Sequence, residues 1–227
     1  MDGNSKARPS LRSSEVKLFS KIALSGFIAL LAWCIAAPAQ GPTGNRLSTS
    51  PTFRAAQDFI AKDHDRLVRE IIQITEIEAP PFKEHRRAKF FADLLRQSGL
   101  SDVEIDLEGN VIGVRKGIGN GPLIAIAAHL DTVFPEGTNV KVRRDGTRLY
   151  APGVGDNSRA LGVLLTIVRA MESGNVQTAS DILFVGNVGE EGPGDLRGMK
   201  HLFLKGPYKD RIKMFISLDP FGVGNDV

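Results

Sequence analysis

Cysteine is nearly missing from this chain. Cys34 is the single one, inside an apolar stretch, and the bulky Trp33 before it does not suit a lipoprotein processing site. No residue after position 34 can therefore form a disulfide or offer a thiolate, and any bound metal must be held by His, Asp and Glu. Charge of one sign is missing too. The formal net charge is +3 and the pI about 9.1. Before residue 22, Lys6, Arg8, Arg12, Lys17 and Lys21 oppose only Asp2 and Glu15, so five cations against two anions account for all of the +3. The basic pI reports that first segment and not a basic face, so nucleic-acid binding loses its electrostatic support. Internal repeats and long low-complexity blocks are absent. Histidine is scarce, four in all, with none after His201.

The opening segment has three parts. A basic stretch ends at Lys21, an uncharged apolar run covers Ile22 to Ala37, and Ala37-Pro38-Ala39 supplies a small-x-small cleavage pattern. This order is that of a secretory leader over residues 1–39, and it predicts an exported, periplasmic or extracellular protein. The apolar run is shorter than the roughly 20 residues that span a bilayer. Retention of the leader as a membrane anchor is the rival reading. Residues 40–52, polar and rich in Gly, Pro and Ser, read as a linker.

The remainder has an ordinary globular composition, with 42% hydrophobic and 24% charged residues in the whole chain. One helix is expected from about Phe53 to Ile74, closed off by Ala79-Pro80-Pro81. A second begins near Lys83, where Ala88, Phe91, Ala92 and Leu95 share a face and Gly99 suits the position after the helix end. Val103, Ile105 and Leu107 alternate, and Glu108-Gly109-Asn110 turns the chain into Val111–Val114, a hairpin signal. Three continuous apolar runs follow, Leu123–Ala128, Ile182–Val188 and Met214–Leu218, each with the look of a strand covered on both faces. Helical patterns separate them, one through Leu161, Leu164, Leu165, Val168 and Met171 and one through Leu196, Met199, Leu202 and Phe203. Alternating strands and helices predict an α/β fold, a three-layer α/β/α sandwich with a largely parallel central sheet.

Polar residues fall where such a fold places its chemistry. His129 and Asp131 follow the first run, Glu190 and Glu191 the second, and Asp219 the third. Ligands of open α/β sheets bind beyond the carboxyl ends of the strands. Asp156, in Gly153-Val154-Gly155-Asp156-Asn157-Ser158, can reach the same edge from the start of the next helix. One imidazole with several carboxylates suits Zn²⁺, with Co²⁺ or Mn²⁺ as alternatives. Two metals about 3.5–4 Å apart need a shared ligand, and Asp156 is the candidate bridge, because a carboxylate has two oxygens to share. Asp131, two residues after His129 on an extended segment, is placed to orient the imidazole. Of Glu190 and Glu191, one can bind metal while the other faces a water as general base. Each residue alone also has a bland reading: a buried histidine, a capping aspartate, a solvated loop, a turn opener. His64, His85 and His201 have no such company and read as surface or structural.

At these residues the chain resembles the zinc-dependent exopeptidase and deacylase family that includes peptidase T, glutamate carboxypeptidases, aminoacylases and succinyl-diaminopimelate desuccinylase. The matching motifs are Ala127-Ala128-His129-Leu130-Asp131-Thr132-Val133, Gly153-Val154-Gly155-Asp156-Asn157-Ser158, Gly189-Glu190-Glu191-Gly192, Leu218-Asp219-Pro220 and the hairpin Gly109-Asn110-Val111-Ile112-Gly113. The resemblance covers about residues 60–220. It implies a two-zinc site with His129 and Asp219 on one zinc, Asp156 bridging and Glu191 on the other. It also implies Asp131 as the orienter of His129 and Glu190 as the general base. The implied activity is hydrolysis of an amide bond in small peptides by a metallopeptidase, since His129-Leu130-Asp131-Thr132-Val133-Phe134-Pro135 looks most like tri- and dipeptidases. An N-acyl amino acid deacylase and a catalytically incomplete fragment are the alternatives. The family also carries a lid domain and a late metal-binding histidine. Residues 53–227 thus read as the N-terminal part of the catalytic domain, with a homodimer expected only of a full-length form and no membrane contact once the leader is removed.

Overall fold

The computed structural model describes residues 49–220. The leader of residues 1–39 and most of the 40–52 linker lie outside the described residues. Where one helix was expected there are two, α1 (Pro51–Lys62) and α2 (His64–Thr75). They meet at Asp63, whose backbone (φ −81°, ψ −1°) breaks the rod without adding a loop. Pro51 occupies the first turn of α1, where its fixed φ suits a helix and its missing N–H is no loss, so the helix starts inside the expected linker. α3 (His85–Gln97) buries Ala88, Phe91, Ala92, Leu94 and Leu95.

The strands are β1 (Asp102–Ile105), β2 (Val111–Arg115), β3 (Leu123–His129), β4 (Arg143–Asp145), β5 (Arg148–Tyr150), β6 (Ile182–Asn187) and β7 (Ile212–Ser217). β4 and β5 form a separate two-stranded hairpin. The other five make one sheet in the order β1-β2-β6-β3-β7. β3 is parallel to β6 and β7, while β2 is antiparallel to β1 and β6. Four of the five strands therefore point one way and β2 alone opposes them, which is the largely parallel sheet expected. Leu107 does not extend β1; it is fully exposed in the turn.

Two further helices complete the layers, α4 (Arg159–Ser173) and α5 (Arg197–Leu204). One face of the sheet packs Phe184, Ala128 and Val111 against Ile74, Phe91, Leu95, Leu161, Leu164 and Val168. The other packs Ile112, Ala125, Ala127, Leu183 and Val185 against Leu202, with Met199 and Phe203 beside it. β6 is buried at all six positions because its side chains alternate between these two cores. Each fully buried Leu or Phe contributes about 1.5–3 kcal/mol. β7 departs from expectation. Met214, Phe215 and Ile216 are 52%, 41% and 45% exposed. The cause is position: β7 ends the strand order, with one strand neighbour among the described residues. Phe215 keeps an edge-on contact with Phe203, ring centroids 5.4 Å apart.

Candidate metal centre

Register fixes the site. His129 is the last residue of β3 and pairs with Asn187 at the end of β6. Ala127 pairs with both Val185 and Ser217, so Asp219, two residues beyond Ser217, comes level with His129. The parallel strands thus deliver His129, Glu190, Glu191 and Asp219 to one edge, and Asp156 arrives from the turn before α4.

His129 is buried and its two nitrogens have different partners. Nδ1 lies 3.0 Å from the main-chain carbonyl oxygen of Asp131, which can only accept, so Nδ1 carries a hydrogen and donates it. Nε2 lies 2.9 Å from Asp156 Oδ1 and 3.7 Å from Asp219 Oδ1. The short Nε2–Asp156 contact requires a proton between the two atoms or a cation in its place. Burial disfavours the imidazolium, but the charge of Asp131, then of Asp156 and Glu190, outweighs it, and the His129 pKa rises to about 9.

Asp131 differs from the expectation. Its carboxylate is 3.6 Å from Nδ1, too far for a hydrogen bond. It is the main chain of Asp131 that orients the ring. The carboxylate turns instead to the loop after β6, where Oδ1 accepts the Glu190 N–H at 3.0 Å and Oδ2 the Glu191 N–H at 2.9 Å. Burial opposes its charge, yet the neighbouring imidazole and these two N–H donors hold its pKa below the usual carboxylate range.

Asp156 sits in the single turn Val154–Ser158. Gly153 opens that turn at φ +76°, and a Cβ there would meet Thr132 Cγ2 at 2.8 Å, so both backbone and space demand glycine. Gly155, the second glycine of the motif, meets neither demand. Asn157 is fully buried and donates Nδ2–H to Leu218 O at 2.9 Å, which ties the Asp156 turn to the strand end carrying Asp219.

The donors form two sets, His129 with Asp156 and Asp219, and His129 with Glu190 and Glu191, each with one ligand atom per residue all within 4.8 Å of one another. Glu190 and Glu191 both belong to the second set, so geometry does not separate base from ligand. Burial first, then mutual repulsion, raises the pKa of Glu190, of Glu191 and of Asp219. Four carboxylates crowded round one imidazole is an arrangement that a divalent cation relieves, and oxygen with imidazole nitrogen is a donor set fit for zinc.

Three supporting residues escaped the sequence reading. Arg87, fully buried on α3, donates to Leu130 O at 2.8 Å and Ile77 O at 2.9 Å. Burial pulls its pKa down to about 10 against the pull of Asp131. Its signal was a charge on the apolar stripe, at i−4 from Phe91. Glu84 and Arg197 gave no local signal, because they meet only in the fold. A cavity of about 260 Å³ opens beside Glu84, Glu108 and Arg197, and none of the six candidate residues lines it.

Comparison with known proteins identifies a family and a fold. The model of peptidase family M28 matches residues 110–227. A protein of Pyrococcus abyssi named as a LysW-lysine/LysW-ornithine hydrolase is 37% identical over 128 residues, 56% of this chain and 34% of that protein. A protein of the same name from Pyrococcus furiosus is 36% identical over 120 residues. The chain thus spans about a third of the length of the curated relatives it matches. Among solved structures, the aminopeptidase PepT of Bacillus cereus superposes with a TM-score of 0.58 at 23% identity, over 70% of this chain and 44% of that one. The di-peptidase Dug1p of Saccharomyces cerevisiae gives 0.62 at 15% identity, over 76% and 42%. At these identities the structures speak for the fold alone.

Proposed function

The chain belongs to peptidase family M28, and from that membership we propose that it hydrolyses an amide bond of small peptides with two divalent metals held by His129, Asp156, Glu191 and Asp219. Zinc is the first choice, with cobalt or manganese in its place. The observation that carries the reading is the convergence of one imidazole and four carboxylates at the ends of β3, β6 and β7. His129, with Nδ1–H committed to a carbonyl, would turn its Nε2 lone pair to a metal that displaced the proton shared with Asp156. Asp156 offers two oxygens and would be the ligand that the two metals share. When bound, such metals lower the pKa of a water and polarise the scissile carbonyl. Glu190 would take a proton from that water on its carboxylate and return it to the leaving nitrogen.

The Pyrococcus relatives favour a second reading of the same site, hydrolysis of a lysine or ornithine derivative, with N-acyl amino acids as the simplest substrates. Export through residues 1–39 belongs to the proposal and rests on the leader's three-part order. A mature protein beginning just after Ala39 in the soluble exported fraction is expected; Met1 retained in the membrane fraction makes the leader an anchor.

The test is metal content and turnover of the chain from residue 40 onward, with zinc supplied and then chelated. Dipeptides, tripeptides, N-acetyl amino acids and acylated lysine and ornithine form the substrate panel. About two zinc per chain and chelator-sensitive cleavage are expected. Glu190→Ala should lose about 10²–10⁴-fold in kcat with zinc content unchanged. Turnover that survives chelation sinks the metal reading, and an active Glu190→Ala removes Glu190 from the mechanism.

A further inference from the structure

The segment from Val188 to Leu196 has little regular structure to hold it. It leaves β6 through Gly189 (φ +61°), makes one short turn at Gly192–Gly194, and enters α5 through Asp195 and Leu196 at φ +50° and +55°. Yet it carries Glu190 and Glu191, whose positions the chemistry depends on. Three successive backbone N–H groups of this segment are each accepted by a buried carboxylate. Asp131 takes those of Glu190 and Glu191, and Glu84 Oε1 takes that of Gly189 at 3.1 Å.

Glu84, only 3% exposed, sits at the start of α3, far in sequence from the loop it holds. Arg197, the first residue of α5, donates Nη2 to both of its oxygens at 2.7 Å. Arg197 also donates Nη1 to the main-chain O and to Oε1 of Glu108 at 3.0 Å, and its guanidinium lies over Phe82 at 5.1 Å. Its own N–H returns to Gly189 O at 3.2 Å. Gly189 is thus gripped on both sides of its peptide unit, and a Cβ there would strike Arg197 Cγ at 2.6 Å. Arg197 Nε is buried with no acceptor among the described residues. A buried ion pair with an unmet donor is a weak source of stability, which turns attention to what it positions.

We infer that Glu84 and Arg197 act as positioning residues, a buried clamp on Gly189 that sets Glu190 and Glu191 against His129. The inference rests on the two-metal reading of those glutamates. Glu84→Gln keeps the shape but loses the charge that Arg197 needs. Arg197→Lys keeps the charge but loses the two-pronged fork.

The experiment compares the full chain with both variants by amide hydrogen exchange over 188–196, by zinc titration, and by kcat and KM separately. Expected in either variant are faster exchange confined to 188–196, zinc affinity weaker by about 10–100-fold, and a fall in kcat larger than any change in KM. Exchange over β3 and α4 should stay as in the parent, which a general loss of stability would not allow. If Glu84→Gln does not fold, Arg197→Lys, with Glu84 intact, decides. Unchanged exchange at 188–196 with unchanged zinc affinity in a folded variant overturns the clamp. Zinc binding by the parent chain tests the metal reading separately, and the exchange readout decides the clamp with or without zinc.

Discussion

At the scale of single residues, Asp131 does more than its spacing from His129 announced. Each of its oxygens accepts one backbone N–H of the Glu190-Glu191 pair. Asn at this position would satisfy one of them and aim an NH₂ at the other. Asp131→Asn should therefore cost about 1–3 kcal/mol of stability, read in a denaturant melt, and weaken zinc binding by about 10–100-fold. A variant with parental affinity would leave Asp131 without a role at the site. Asp181 offers a pH test away from the chemistry. It accepts the Gly117 N–H at 2.8 Å, and this bond, helped by Lys116 against burial, holds its pKa below the ordinary 3.8. The folded pKa is the lower one, so its stabilisation is fully present above 3.8 and disappears as pH falls through the folded value. Asp181→Asn should lower Tm near about pH 7 and approach the parent as pH falls through the folded pKa and the carboxyl becomes neutral. A difference that persists in acid would mean that shape, not charge, is at stake. The six candidate residues were legible because each ends a strand or opens a turn. The roles of Glu84, Arg197 and Asn157 were not, because their partners lie 113 and 61 residues away along the chain and no spacing records them.

At the scale of elements, apolar periodicity located α3, α4, β3 and β6 to within a few residues, since both cores draw on continuous stripes. It merged α1 and α2, because the break at Asp63 leaves the stripe intact. The structure supplies the reason for an aspartate there: Arg169 of α4 donates Nε to Asp63 Oδ2 at 2.9 Å and reaches Glu70 on α2 at 3.2 Å. All three are buried, so one guanidinium fastens α4 to both helices. Arg169→Ala strands the buried Asp63 and leaves Glu70 with Arg66 as its cationic partner at 2.9 Å, and should cost about 3–5 kcal/mol in urea unfolding. A loss under about 1 kcal/mol would show that water reaches the pair. The hairpin of β4 and β5 had its own signal, Asp145-Gly146, with Gly146 at φ +57°. So short a ribbon buries little and leaves no apolar pattern beside that signal.

At the scale of the whole molecule, the two edges that the sheet has among the described residues differ. The β1 edge is short and carries Asp102 and Glu104, charges that discourage pairing with another chain. The β7 edge presents Met214, Phe215 and Ile216, each about half exposed. An apolar edge strand is a template for association. The described chain should self-associate with rising concentration, and Met214→Lys should suppress this while changing stability by less than about 0.5 kcal/mol. Sedimentation of the two forms decides it; equal association would place the contact elsewhere.

β3 lies between β6 and β7, and both are encoded after it. The strand that ends in His129 leaves the ribosome with no partner for either side of its backbone. Ile182 and then Ile212 must be made before its ladders can close, a delay on the order of seconds at roughly 5–20 residues per second. Through that interval Leu123–Ala128 is a bare apolar ribbon whose available cover is the helices already synthesised. In a form made in the cytosol without residues 1–39, codons that slow translation between Tyr150 and Ile212 should lengthen that exposure and lower the soluble yield.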